Sequence, residues 1–331
     1  MRNTTLIGHA VEQLRSLPDN LVHCCCTSPP YYALRDYGAP SVTWGDGWAG
    51  QLGREPTAEQ YLDHMTEVLQ QIYRVLRPDG SLWLNIDDTY QDKQLLQIPG
   101  RLVGRLKQIG FILRAEVCWD KGSGMPENVG DRPTRCFEPI FLLTKSRRYY
   151  YDAQAEREPS GANLRNVWHI PTERHAGAHT AVFPRALPSR CIALSTSQEG
   201  ACEACGAPLE RILERLSEPV GREGHPTRYG DVGTGSSKGF SMPSLAPPEY
   251  RTKGWARTCK CPQDGPIDPC IVLDPFSGSG TTLQEAQRLG RDYIGIEINT
   301  MSESEIEARL ETTQEALILD QARRAGLDMV F

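Results

Sequence analysis

One stretch constrains the fold of this chain more than any other: Cys270-Ile271-Val272-Leu273-Asp274-Pro275-Phe276-Ser277-Gly278-Ser279-Gly280-Thr281-Thr282. It opens as a short apolar run of the kind that makes a buried strand. Glycines then form a tight turn, and beyond them Leu283, Ala286 and Leu289 recur at helical spacing. A second apolar run, Asp292-Tyr293-Ile294-Gly295-Ile296-Glu297, ends in a carboxylate. Strand, glycine turn, helix and strand in that order belong to an open α/β sheet. There the glycines let backbone approach a ligand at the strand's carboxyl end, and the terminal acid reaches the ribose hydroxyls of an adenosine cofactor.

A second stretch lies near the other end. Leu21-Val22-His23-Cys24-Cys25-Cys26 reads as a buried strand and runs into Thr27-Ser28-Pro29-Pro30-Tyr31. Proline has no N–H, fixes φ, and pushes the preceding residue to extended conformations, so two in series make a stiff corner. Such a corner presents backbone carbonyls without sheet partners, the Ser28 hydroxyl and the Tyr31 ring. An acceptor pair beside a flat ring suits a planar group bearing an NH₂, such as a nucleobase taken out of its stack. Taken alone, the same residues also read as a Pro-rich turn after a core strand.

Together the two stretches resemble the S-adenosylmethionine (SAM) loop and the catalytic loop of the DNA amino-methyltransferases. The order, catalytic loop first and cofactor loop last, is that of the β class, which methylates N6 of adenine or N4 of cytosine. The resemblance covers roughly residues 4–200 and 265–315. It implies a Rossmann-like α/β fold with a mostly parallel sheet. The expected organisation is a catalytic-loop half over 1–200, a Cys-rich insertion over 201–262 and a SAM-binding half with an acidic helix over 263–331. It assigns catalysis to Ser28, Pro29, Pro30 and Tyr31. Cofactor binding falls to Asp274, Pro275, Phe276, Gly278, Gly280, Thr281, Thr282, Glu297 and Asn299, with Phe183 and Pro184 on the methionine side. Serine in place of aspartate at the first loop position leans toward N4-cytosine. Double-stranded DNA is the implied partner; a homodimer and a cognate restriction enzyme are further implied partners.

The chain departs from the family pattern at two places. Gly8-His9 stands where relatives carry an acid near the adenine. Phe137-Glu138 stands where relatives often carry His-Glu, so no catalytic role is assigned there.

The formal net charge of -6 is not that of a bulk nucleic-acid binder. The charge is uneven, however. Residues 101–150 hold 10 Lys/Arg against 5 Asp/Glu, whereas from Ser302 onward there are 7 Asp/Glu against 3 Arg. A basic face can bind phosphates on an acidic protein. No apolar stretch is long enough to span a membrane, and the first residues lack a signal-peptide core. A cytoplasmic protein without a membrane partner is expected.

Between the two motifs, 4–17 reads as strand then helix, and 32–53 as a long loop lining the pocket for an extruded base. Trp44 and Trp48 either serve that pocket or pack the loop down. Residues 58–76 form an amphipathic helix with Tyr61, Met65, Val68, Leu69, Ile72 and Leu76 on one stripe. Arg77-Pro78-Asp79-Gly80 reads as a turn and 81–86 as a strand. A helix over 95–108 and strands over 111–119 and 137–145 follow, with a Gly/Pro-rich loop at 121–135 facing DNA. Arg147-Arg148-Tyr149-Tyr150-Tyr151 reads either as a phosphate- and base-contacting patch or as a strand edge with snorkelling arginines. Asn166 to Ile170 and His179 to Pro188 resemble the segment closing over SAM. Residues 301–319 read as an acidic helix packed outside the sheet.

Without a secretion signal, the 11 cysteines are not read as disulfides. Cys202, Cys205, Cys259 and Cys261 form Cys-x-x-Cys and Cys-x-Cys pairs framing a Gly/Pro/Ser-rich segment. They suggest a structural Cys₄ zinc site, all four positions filled, with 218–250 mobile without a partner; the alternative is four reduced surface thiols. Pro269-Cys270 and Glu127-Asn128-Val129 echo the C5-cytosine methyltransferases, but in the wrong order and context. The competing readings from other classes are a zinc-dependent DNA-binding protein with an inactive core and a methyltransferase acting on RNA or protein amides.

Overall fold

The computed structural model describes residues 2–122, 128–173, 183–216 and 249–324, with side chains in the last stretch to 320. Eight strands build one sheet: β1 (Thr4–Ile7), β2 (Val22–Thr27), β3 (Leu76–Asn85), β4 (Ile112–Asp120), β5 (Phe137–Thr144), β6 (Val167–His169), β7 (Ile271–Asp274) and β8 (Asp292–Glu297). Their spatial order is β1-β8-β7-β2-β3-β5-β4-β6. All pairings are parallel except those of β5, which runs antiparallel to both β3 and β4.

The central strands are buried on both faces, as their unbroken apolar runs require. Alternation then divides one strand between two cores. Cys25, Leu82, Leu84, Leu143 and Ile296 point to one side. Cys24, Cys26, Trp83, Leu142 and Val272 point to the other. Helices α1 (Ala10–Ser16), α2 (Ala58–Val75) and α3 (Ile98–Ile109) supply apolar side chains to the first core. Helices α4 (Ala186–Ser195), α5 (Thr281–Arg288) and α6 (Glu303–Arg324) supply the second. Among the described residues no helix is long and apolar enough to cross a membrane.

Several expectations shift in detail. The helix over 58–76 stops at Val75, and Leu76 opens β3 instead. The turn at 77–80 lies inside that strand as a bulge, since Val22 pairs with Leu76 and Cys24 already with Ser81. The long loop after Tyr31 carries a two-stranded hairpin, Val42–Thr43 with Ala49–Gly50. Trp44 packs it down: it stacks on His64 of α2 (centroids 4.3 Å) and meets His9 edge-on. His64 Nδ1 is paired with the buried Glu55 at 2.9 Å. The acidic helix packs on α5, in the layer of the second core.

The Arg147–Tyr151 cluster is not at the pocket. Tyr150 is buried and its N–H donates to Asp79 O (2.9 Å), at the amino-terminal end of the sheet and away from the Ser28–Tyr31 corner. That overturns its reading as a base-contacting patch. The expectations for 179–182 and for Glu127 lie outside the described residues, as does most of the segment expected to be mobile, 218–248.

Candidate active site and cysteine cluster

Strands β2 and β7 are neighbours with Val272 opposite Cys24 and Leu273 opposite Cys25. Their carboxyl ends therefore bring the Ser28–Tyr31 corner beside the 275–280 turn, at the switch point where ligands bind in open α/β sheets. A cavity of about 860 Å³ opens there, the upper end of the size range for ligand sites. Ser28, Pro29, Pro30 and Tyr31 line it on one side; Pro275, Phe276, Gly278, Thr281, Glu297 and Asn299 line it on the other, with Phe183 at the rim. Asp274, Gly280, Thr282 and Pro184 do not line it.

Each of those four has a structural task in its place. Asp274 is only 1 % exposed. Its Oδ1 accepts from Thr27 Oγ1 (2.7 Å) and from the N–H of Phe276 (3.1 Å), and burial pushes its carboxyl up to about 6. Gly280, at φ +82, starts α5, with Ile306 packed at 3.3 Å where a Cβ would stand. Thr282 is fully buried, its Oγ1 donating to Cys26 O at 3.4 Å. Pro184 O accepts from Leu187 N at the start of α4.

Glu297 is held by two backbone donors. Its Oε2 accepts the N–H of Gly278 (2.7 Å) and its Oε1 that of Asn299 (2.8 Å), so the carboxylate is locked across the mouth of the glycine turn. The Asn299 side chain caps the next turn, accepting from Met301 N at 3.0 Å.

The proline corner is equally fixed. Pro30 O accepts from Tyr61 Oη of α2 (2.8 Å), which commits that carbonyl to the scaffold. Gly53, at φ +89, passes so close that a Cβ would lie 2.8 Å from Tyr31 O, so only glycine fits. Tyr31 is buried, and its hydroxyl lies 3.0 Å from Ser28 Oγ, 3.0 Å from Asn85 Oδ1 and 2.8 Å from Glu138 Oε2. Burial, and then the Glu138 charge, raise the phenol well above its usual pKa. Glu138 also pairs with Lys121. Glu138 and Asn85 line the cavity and arrive through sheet pairing; Asn85 stands in no motif, and Glu138 keeps the acid of the His-Glu pair whose histidine is Phe137 here.

The pocket wall also holds Trp119 from β4, Lys121 and Arg135 from the basic loop after it, and Phe137, the first residue of β5. Arg135 Nη2 donates to the half-buried Asp87 at 2.6 Å. His9 lies in the wall too, its Nε2 buried without a hydrogen-bond partner among the described residues.

At the opposite end of the sheet, Cys202, Cys205, Cys259 and Cys261 come together, their sulfurs all within 4.8 Å of one another. Tetrahedral zinc with Zn–S near 2.3 Å requires sulfurs about 3.8 Å apart, so four thiolates in this arrangement fit the ion. The knuckle is docked on the sheet. Arg77 Nη1, from the bulge of β3, donates to Cys205 O (2.9 Å). His23 Nδ1 accepts from Ile271 N (3.0 Å), so its Nε2–H donates to Gly206 O (2.9 Å). Burial lowers the His23 pKa to about 4, which keeps that neutral tautomer. Beyond the knuckle, Glu210–Arg215 pairs antiparallel with Tyr250–Ala256. Cys270 has no exposed surface and burial pushes its thiol up to about 11, which suits a core residue and not a covalent nucleophile.

Comparison with known proteins agrees with this architecture. A family model for N6/N4-type DNA methylases matches residues 22–202 and 269–307. The type II methyltransferase M.XycI of Xanthomonas campestris pv. cyanopsidis is 39 % identical over 333 aligned residues, spanning 90 % of this chain and 85 % of the relative. Among solved structures, the cytosine-N4-specific PvuII DNA methyltransferase superposes with a TM-score of 0.60 at 17 % identity, covering 95 % of this chain and 91 % of the other. A DNA modification methylase of Thermus thermophilus, in complex with S-adenosyl-L-methionine, superposes with a TM-score of 0.54 at 21 % identity, covering 93 % and 95 %.

Proposed function

This chain belongs to the N6/N4 DNA methylase family, a family of SAM-dependent DNA amino-methyltransferases, and from that premise we propose that it methylates N4 of a cytosine extruded from duplex DNA. The observation that carries the reading is Ser28, a neutral hydroxyl at the first position of the catalytic loop, facing the glycine turn across one cavity. Serine at that position leans toward cytosine; N6 of adenine is the alternative.

An exocyclic amine is a poor nucleophile because its lone pair is delocalised into the ring. Ser28 Oγ and the Pro29 carbonyl accept its hydrogens and draw the lone pair out, while the Tyr31 ring packs on the extruded base. Held in line, the nitrogen attacks the methyl carbon as the methyl–sulfur bond breaks. Alignment and exclusion of water supply much of the acceleration. On the cofactor side, Glu297 takes the ribose hydroxyls, and the 275–281 turn cradles the rest of the nucleoside, with Phe183 against the methionine end. Asp274, Gly280, Thr282 and Pro184 support that surface from behind.

The cysteine cluster is proposed to hold one structural zinc ion. Its remoteness from the cavity and its four sulfur donors, which leave no position open, support a structural role. The type II designation of the relative supports a paired restriction enzyme, and a homodimer belongs to the same reading.

The deciding experiment incubates the protein with labelled SAM and unmethylated duplex DNA and identifies the nucleosides by mass spectrometry. N4-methylcytosine is expected. N6-methyladenine would replace the cytosine reading. SAM binding without labelled DNA would turn attention to RNA or protein, and no SAM binding would leave an inactive DNA-binding core.

A further inference from the structure

The amine nitrogen must lose a proton, and the groups behind Ser28 are arranged to receive it. Tyr31 has one hydroxyl hydrogen and three acceptors within reach, Glu138 Oε2 at 2.8 Å and Asn85 Oδ1 and Ser28 Oγ at 3.0 Å each. The carboxylate is nearer and the stronger acceptor, so the hydrogen lies toward Glu138. Asn85 Nδ2 donates to that same oxygen at 3.0 Å and to Pro139 O at 3.3 Å, which orients the amide. With its only hydrogen committed, Tyr31 Oη must accept from Ser28, 3.0 Å away. Ser28 then faces the cavity with lone pairs and no hydrogen. The network has therefore made it an acceptor before any substrate arrives.

We propose that Glu138 is a positioning residue at the end of a proton relay running from Ser28 Oγ through Tyr31 Oη to Glu138 Oε2. The proposal rests on the reading of the site as an amino-methyltransferase. The nitrogen lone pair forms the N–CH₃ bond while the S–CH₃ pair leaves on sulfur. The nitrogen, now cationic, gives a hydrogen to Ser28 Oγ. Ser28 passes its own hydrogen to Tyr31, and Tyr31 passes its own to Glu138. The methylated base ends neutral and the carboxylate ends as a carboxylic acid, which returns its proton to water after product leaves. Tyr31 only hands a hydrogen on and never bears a negative charge, as its burial demands. Lys121, paired with the other Glu138 oxygen, supplies the counter-charge that lets a residue 8 % exposed be a carboxylate at the start. The reversed direction of β5 is what brings Glu138 here, because the first residues of that strand, rather than its last, lie beside the ends of β2 and β3.

The test is single-turnover transfer from labelled SAM to unmethylated duplex DNA by the wild type, E138Q, E138D, Y31F and the double variant Y31F/E138Q. SAM affinity by calorimetry and melting temperature are recorded for each. E138Q and Y31F should each slow transfer about 100-fold, the lower range for a positioned proton acceptor, with SAM affinity unchanged. The double variant should be no slower than the slower single, because both changes cut one path. E138D, which restores a carboxylate, should recover part of the rate that E138Q loses. A wild-type rate in E138Q, losses that multiply in the double variant, or a rate loss matched by lost SAM affinity would each overturn the relay. A wild type that binds SAM yet labels no duplex DNA overturns the substrate reading, and the relay with it.

Discussion

Thr27 Oγ1 donates to Asp274 Oδ1 at 2.7 Å, joining the last residue of β2 to the last residue of β7. Both side chains are buried, so the proline corner and the glycine turn are fastened to each other directly beneath the cavity floor. The substitution Thr27→Val keeps the shape and removes the donor. Leaving a buried carboxylate one partner short costs about 1–3 kcal/mol. A lowered melting temperature, together with weaker SAM binding and slower turnover, is expected. A loss of turnover alone would mean that the two loops are not mechanically joined.

Asp274 also makes stability depend on pH. Burial raises its carboxyl from 3.8 to about 6, so the folded chain binds this proton more tightly than the unfolded one. The contribution is greatest below the unfolded pKa, declines as pH rises through the folded value, and stays low above it. Asp274→Asn removes the ionisation and keeps an oxygen for Thr27 and Phe276. Denaturant melts near pH 4 and pH 7 should show the variant gaining on the wild type by about 2–3 kcal/mol across that interval.

Ser28 and Glu297 should separate chemistry from binding. Ser28→Ala should leave SAM affinity near its original value and cut transfer about 100-fold or more. Glu297→Ala removes a charged acceptor and should weaken SAM binding by about 1.5–3 kcal/mol in calorimetry. If Ser28→Ala turned over like the wild type, the hydroxyl would have no part in the reaction.

Purified protein should contain about one equivalent of zinc by elemental analysis, matching a single closed four-sulfur site. Cys202→Ser or a strong chelator should remove it and lower the melting temperature. SAM affinity should change little, because the cluster docks through His23 and Arg77 at the far end of the sheet. Full-length protein that is metal-free yet equally stable would return the cysteines to ordinary thiols.

The two loops were legible because each is a local pattern, a strand broken by prolines or glycines. Their contents were less so. Asp274 stands in the cofactor motif, yet it faces the neighbouring strand, a fact visible only once β7 is set beside β2. Asn85 escaped, and Glu138 was set aside with the missing histidine, because their meaning comes from the antiparallel pairing of β5 with β3, which no spacing in the chain announces. The bulge at 77–80 read as a turn because Pro78-Asp79-Gly80 has turn chemistry; the strand resumes beyond it because Ser81 to Leu84 pair on both sides. The Arg147–Tyr151 cluster misled because composition cannot say which end of a sheet a residue occupies. The cysteines were legible as two pairs, but not their attachment to the catalytic strand through His23.

The paired strands Glu210–Arg215 and Tyr250–Ala256 rise from the sulfur cluster, and their far ends, Arg215 and Tyr250, stand opposite each other. Any connection between two adjacent strand ends is an exchangeable cassette. Changes in its length need not displace β2 or β7, since doubling a loop adds only about 0.6 kcal/mol of closure entropy. Any enzyme so built can diversify one part of its surface while its reaction centre stays the same.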